Sequence, residues 1–392
     1  CFNDCEAYEE CVGGDCRCDP DCEDRDCGDD GCGDQCPPGC GESETCSEDG
    51  LCVPVSDCFA WPGSPSLQDA VNAHACVEIQ AGTFSIGSTV SMPANHELRG
   101  LAVDRSILVP SSGFDPEGDV AMIVINQSNV LLKKFAVDGS QGGQAKLDVV
   151  VLGAGTTGVV MEEMRIDGAR CDGLSMGGDG TIIRDSTLSN NGYNCPPINK
   201  GSAIYAEGNV HIEGGQFSHA PQIIGNVIEN NPDGSGIDMA EVSDGVIRGN
   251  TIRHCGANGG ISIYHGHGWV IEDNDISDSG GWFNYGHPRC EGPTSPATIG
   301  IKLCRDGDIA GGTDNNTIRN NRSVGYYGIL LAGDDEAAPY IVPRFNVLTG
   351  NDVMGSTVGC LDDFRPGQWE DGDNAWSGNN CRGTPGSGPD YF

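Results

Sequence analysis

The chain has 392 residues, and its 21 Lys+Arg against 58 Asp+Glu give a formal net charge of −37. A surface that acidic repels phosphate backbones and anionic headgroups, which argues against nucleic-acid partners and a peripheral membrane role. Sixty glycines, 21 cysteines and 6% aromatic residues point to a turn-rich extracellular chain rather than a helical bundle, and no apolar run reaches the roughly 18 residues of a membrane span.

The cysteines divide the chain. Thirteen of them lie between Cys1 and Cys58, and residues 1–57 hold 18 acidic and two basic side chains. Val12, Leu51, Val53 and Val55 are nearly all the aliphatic content of this segment, so disulfides must replace a core, as expected of a small module in an oxidising compartment. Zinc is the competing reading for pairs such as Cys32 and Cys36, disfavoured by the near absence of His. The string CGDDGCGDQCPPGCGESETCSEDGLCVP, residues 27–54, resembles Cys-rich segments that precede catalytic or binding domains in secreted myxobacterial proteins, which implies a spacer or surface-attachment role. The chain opens at Cys rather than Met, which reads as a processed form. Cys1 is then a candidate lipid anchor, placing the protein at the cell surface or outside the cell. An odd cysteine count leaves one residue over. Sequence proximity pairs Cys58 with Cys76, Cys171 with Cys195, Cys290 with Cys304 and Cys360 with Cys381, leaving Cys255 free.

Residues 58–392 read as a second domain. A short amphipathic helix beginning near Ser66 places Leu67, Ala70 and Val71 on one face, and it is expected to cap the strands on its C-terminal side. From there short apolar strands alternate with Gly and Asn turns. QIIGNVIENN, GVIRGNTIRHCG and WVIEDNDISDSG align on Asn226, Asn250 and Asn274 at a spacing of 24 residues, Asn321 continues the series, and Ser186 takes the same place upstream. A fixed period of this size, with β-branched strands, is the mark of a solenoid whose coils bury their apolar residues against one another. The leucine spacing of a leucine-rich repeat is missing. From about Ser66 to Phe392 the chain therefore resembles the right-handed parallel β-helix proteins of the pectate-lyase superfamily, an all-β class. The resemblance extends to GCLDDFRPGQWEDGDNAWSGNNC, which looks like a sealing tail.

Aligned coils give columns of side chains. Leu174, Ile204, Ile237, Ile261, Ile301 and Ile329 point inward, as do Met176, Ala206, Met239, Ile263, Leu303 and Leu331 two residues on. Between them Ser175, Tyr205, Asp238, Ser262, Lys302 and Leu330 point outward, followed by Glu207, Ala240, Tyr264, Cys304 and Ala332, with Glu241, His265, His267 and Arg305 at the strand ends. Tyr264 or His265 is a candidate base for a sugar carbon next to a carboxylate. Lys302 and Arg305 are candidates to neutralise that carboxylate and the developing enolate. Glu207, Asp238 and Glu241 form a candidate oxygen-rich site for calcium. Tyr205 and His267, with Trp282 and Tyr285 of the insertion WFNYGHPRCEGPTSP, are candidates to hold the sugar. Solvated side chains on an ordinary solenoid face would look the same.

The segments NPDGSGID (231–238), GHG (266–268) and IGIKL (299–303) are similar to motifs of polygalacturonase-like glycoside hydrolases. That family's paired aspartate is replaced here by Gly256, Ala257 and Asn258, and Gly300 stands where its arginine would be, which removes the second carboxylate that hydrolysis requires. Three readings of the function result. The first is a lyase or epimerase acting on uronate-containing polysaccharide by proton abstraction at C5. The second is a glycoside hydrolase using Asp233, Asp238 and Glu241. The third is a non-catalytic adhesin, glycan-binding protein or filament subunit.

Overall fold

In a computed structural model, the structure describes residues 9–12, 15–18, 44–46, 52–54, 58–114, 121–141, 147–192, 195, 201–207, 218–232, 234–256, 259–279, 299–305, 313–325, 327–333, 343–354, 356, 359–362 and 374–381. Two compact units emerge, Cys1–Cys58 and Phe59–Phe392. In the first, Glu9–Val12 pairs antiparallel with Asp15–Cys18, and Glu44–Cys46 with Cys52–Pro54. Cys1 and the cysteine pairing of this unit lie outside the described residues.

The second unit is a parallel β-helix. Each coil crosses three parallel sheets in turn, of 12, nine and ten strands among the described residues. One full coil runs through Val246–Arg248, Thr251–Cys255 and Ile261–Tyr264 before Val270–Glu272 begins the next. Inward side chains stack coil on coil. Ile223, Ile247, Ile271 and Ile318 form one file, Ile228, Ile252 and Ile276 a second, and Ile237, Ile261, Ile301 and Ile329 a third, all with no solvent exposure. Burying each of these side chains is worth about 1.5–3 kcal/mol, so the files are the principal driving force of the fold.

The asparagine series seen in the sequence is a hydrogen-bonded ladder at the turn between the 12- and nine-strand sheets. Asn250 Nδ2 donates to Ile223 O at 2.8 Å and to Asn274 Oδ1 at 2.9 Å, while Asn250 Oδ1 accepts from the backbone N and Nδ2 of Asn226. Asn274, Asn321, Asn351 and Asn379 repeat the pattern. Each amide thereby satisfies turn carbonyls and amides that would otherwise be buried without partners. The preceding turn residue adopts a left-handed conformation in coil after coil, as in Asp185, Gly225, Gly249, Asp273 and Asn320, which is why Gly, Asn and Asp punctuate the sequence there.

Helix Leu67–Ala73 is capped by Ser66, whose side chain accepts from Asp69 N, and it buries Leu67, Ala70 and Val71. Cys171–Cys195 and Cys360–Cys381 are bonded, Cys58, Cys76 and Cys304 are in disulfides, and Cys255 is free and buried. Cys255 stands in a second polar file: Asn191 N donates to Asn231 Oδ1, and Asn231 Nδ2 reaches Cys255 Sγ at 3.5 Å. Burial pushes its thiol up to about 11. Within the C-terminal stretch, Cys360–Asp362 and Ala375–Ser377 add further parallel strands to the ten- and 12-strand sheets; residues 363–373 lie outside the described residues.

Candidate active site

The outer face of the ten-strand sheet gathers the predicted side chains in the expected register. Tyr205 pairs with Asp238, Asp238 with Ser262, Ser262 with Lys302 and Lys302 with Leu330, each one strand apart. The next column along runs Ala240, Tyr264, Cys304, Ala332. Burial divides this face. Tyr205 and Asp238 are half-buried, whereas Ser262 and Lys302 have no exposure and Leu330 only 4%. Ile299, Cys304, Leu330 and Ala332 make a small apolar cluster outside the solenoid core, with Tyr264 and Tyr327 packed against it.

Lys302 Nζ lies 5.1 Å from the centroid of the Tyr264 ring, within cation–π range. Tyr264 meets His265 edge to face with ring centroids 5.9 Å apart. His265 is 6% exposed and adopts φ 50°, and Glu241, at the same place one coil earlier, is 2% exposed with φ 59°. Both residues end their strands, and this left-handed turn brings the chain round toward the 12-strand sheet while its amide stays in the ladder: Glu241 N donates to Tyr264 O, and His265 N to Cys304 O. His267 is half-buried beyond that turn. The turn also carries Gly245, where a Cβ would sit 2.3 Å from the ring of Trp269, a fully buried side chain whose Nε1 donates to Val242 O. Only glycine fits there.

The strands Ile204–Glu207 and Ile299–Arg305 set Glu207 opposite Ala240 and Arg305 opposite Gly333, but their side chains, like Trp282, Tyr285 and Asp233, lie outside the described residues. Among the described residues, neither Asp238 nor Glu241 belongs to a cluster of three ligand-bearing side chains.

Sequence reasoning missed an acidic group on the same sheet, three strands from Tyr264 and at the opposite end of the strands. Asp172 N donates to Asp148 Oδ1 at 2.9 Å, and Ser202 N donates to Asp172 Oδ1 at 2.5 Å. Ser235, next in that file, donates to Asp238 Oδ2 at 3.4 Å. Burial holds the Asp172 carboxyl well above the ordinary carboxylate range, and the charges of Asp148 and Asp238 push it further in the same direction. The readable signal was the pair of aspartates two residues before the first inward position of successive coils, in LDVVVL and CDGLSM. The Tyr264 patch thus combines a phenol beside a buried lysine with an imidazole, residue types that acid–base chemistry uses. Asp172, with its raised pKa, lies three strands away on the same sheet.

The family described as "Right handed beta helix region" matches residues 121–321 and 172–362. No curated protein matches by sequence. Among solved structures, the mannuronan C-5 epimerase AlgE4 A-module of Azotobacter vinelandii is similar at 14% identity and TM-score 0.47, covering 82% of this chain and 95% of the module. Alginate lyase from Paenibacillus sp. str. FPU-7 is similar at 15% identity and TM-score 0.46, covering 80% and 96%. The Dettilon tailspike protein is similar at 14% identity and TM-score 0.45, and the chain spans 65% of its length. Likenesses of this size carry no argument about activity. The family match extends over more than half of the sequence, and the matched stretch is built of stacked three-strand coils: the chain belongs to the right-handed β-helix family.

Proposed function

We propose that the outer face of the ten-strand sheet binds a uronate-containing polysaccharide and abstracts the C5 proton, as a lyase or an epimerase does. The observation that carries this reading is the meeting of Tyr264, Lys302 and His265 on adjacent strands. Tyr264 is half-buried and reachable, so the phenol is the group that touches the substrate. Lys302 has no exposure and acts through Tyr264: its charge, at 5.1 Å from the ring, favours the phenolate and the negative charge that develops next to it. His265 takes the proton onward. In a lyase that proton goes to the departing glycosidic oxygen, and an epimerase instead returns a proton to the opposite face of C5. The protein works outside the cell or at its surface.

Glycoside hydrolysis is the second reading, favoured by the placement of Asp172 and Asp238 on one sheet two strands apart. Burial, with the charges of Asp148 and Asp238, raises the Asp172 pKa, which suits it to the acid member of the carboxyl pair that hydrolysis uses.

Product analysis separates the two. Purified protein is incubated with alginate and with pectate, with and without calcium, and the products are followed by ultraviolet absorbance for unsaturated uronate, by reducing-end assay and by proton NMR. The proposal expects unsaturated ends or C5-inverted residues. Tyr264→Phe and His265→Ala should lower the rate by roughly 100-fold or more, the range of a positioned acid–base group. New reducing ends without unsaturation, lost in Asp172→Asn, would replace the proposal with hydrolysis.

A further inference from the structure

The turn that leads from the ten-strand sheet into the 12-strand sheet sets one residue per coil in a left-handed conformation, two positions before the strand that follows. Gly, Asn, Asp or Ala fills this place in every other described coil, as in Asn129, Gly180, Ala220, Asp244, Gly268 and Asn315. Phe345 fills it with φ 56° and is 49% exposed. A left-handed backbone brings Cβ too close to the following carbonyl oxygen; glycine escapes that cost, and Asn and Asp lower it with local hydrogen bonds. A phenyl ring does neither, and half of it stays in water, so neither the turn nor the core calls for it. Strained residues of this kind concentrate at active sites and where ligands are held.

The neighbours of Phe345 suit a sugar. Val347, which opens the strand Val347–Thr349, is 44% exposed, so two large apolar side chains stand in water within one turn. Arg344 is half-buried, and its Nε, closed to solvent, meets no hydrogen-bond partner among the described residues. Its backbone N donates to Asp314 Oδ1 at 2.7 Å, which places a carboxylate one coil before the guanidinium. An aromatic ring with a planar donor and an acceptor beside it matches a pyranose, which offers apolar C–H faces and a rim of hydroxyls. The turn also relates this place to the Tyr264 face. Gly268 N donates to Asp314 O and Asn315 N to Arg344 O, so Phe345 holds the position that Gly268 holds two coils earlier, four residues past Tyr264. At a strand spacing of about 4.8 Å the offset along the coils is about 9.6 Å, within reach of an oligosaccharide and beyond that of a single sugar.

We infer that Phe345, with Arg344 and Asp314, is a pyranose-binding subsite that holds the polysaccharide two coils downstream of Tyr264. The ring stacks on the apolar face of one sugar unit, and the guanidinium and carboxylate take its hydroxyls. The inference rests on the polysaccharide reading for the class of ligand and for the run of the polymer along the coils. Binding is measured without turnover, so the two fail separately. A chain that binds through Phe345 but leaves the C5 hydrogen in place sinks proton abstraction alone, and an active chain indifferent to Phe345 sinks the subsite alone.

The test is titration calorimetry of the full chain with mannuronate and galacturonate hexasaccharides. All variants carry Tyr264→Phe, which prevents turnover of the probe under the proton-abstraction reading, and the Tyr264→Phe chain is the reference. The reference should bind at least one hexasaccharide. Phe345→Asn should weaken that binding roughly tenfold, the weight of one aromatic contact, while the thermal midpoint stays level or rises because Asn takes the left-handed turn at lower cost. Phe345→Leu, apolar but without a flat face, should weaken it likewise, Phe345→Trp should bind as the reference does, and Arg344→Gln should lose affinity. Failure of the reference to bind either hexasaccharide, or undiminished binding by Phe345→Asn, Phe345→Leu or Arg344→Gln, would overturn the inference. A Phe345→Asn chain that binds as the reference does but sediments as a smaller species would assign the ring to a contact between copies of the chain and overturn it too.

Discussion

At the scale of single residues, Asp172 departs from the ordinary chemistry of its side chain. Its raised pKa has a consequence for stability whose sign is opposite to that of a paired carboxylate. The native state keeps the proton at pH values where the unfolded chain has released it, so the native state binds more protons above the ordinary aspartate value of 3.8, and stability falls as pH rises toward the folded pKa. Asp172→Asn supplies a neutral side chain of the same shape. Its urea midpoint should equal or exceed that of the parent at pH 7, and the gap should close toward pH 4; a parent more stable than the variant at pH 7 would mean that the ionised carboxylate is the native form. Asp172 also shows where a single sequence stops being legible. Asp148 and Asp172 stand at equivalent places in adjacent coils, but their joint effect with Asp238 depends on burial at the start of three strands, which no spacing reveals.

At the scale of elements, the asparagine ladder ties the coils to one another. Asn250→Ala would remove an acceptor from Asn226 and a donor to both Ile223 O and Asn274 Oδ1, leaving buried groups without partners at a cost of roughly 2–4 kcal/mol. Denaturant unfolding should show that loss, and a change under about 0.5 kcal/mol, the size of an ordinary surface substitution, would mean the ladder is not a stabilising feature. The period of Asn226, Asn250 and Asn274 was readable because each coil repeats the same turn. The outward columns of the ten-strand sheet were readable for the same reason, and Tyr205, Asp238, Ser262, Lys302 and Leu330 fall in the file that alternation assigns. Alternation gives direction and not exposure. Ser262, Lys302 and Leu330 point away from the solenoid core yet are buried, and the apolar cluster around Tyr264 and Tyr327 forms between coils distant in sequence.

At the scale of the whole molecule, the β-helix divides its work among its faces. The interior is filled by files of Ile, Leu and Val, the turn between the 12- and nine-strand sheets by amides, and the outer face of the ten-strand sheet by side chains whose chemistry exceeds what packing needs. On the ten-strand sheet Tyr264, Lys302 and His265 meet, and Asp172, with its raised pKa, lies three strands away. On the 12-strand sheet Glu162 bridges Lys133 and Arg184, and Glu272 bridges Arg248 and Arg319, which ties successive coils together. The measurement that bears most directly on this division is hydrogen exchange at C5 of polyuronate in deuterated water, followed by proton NMR. The parent should remove the C5 hydrogen, seen as deuterium in the inverted product or as loss of the signal with unsaturation, and Tyr264→Phe should leave it in place. C5 hydrogens that stay intact while the parent shortens the polymer would contradict proton abstraction and assign the face to hydrolysis through Asp172 and Asp238.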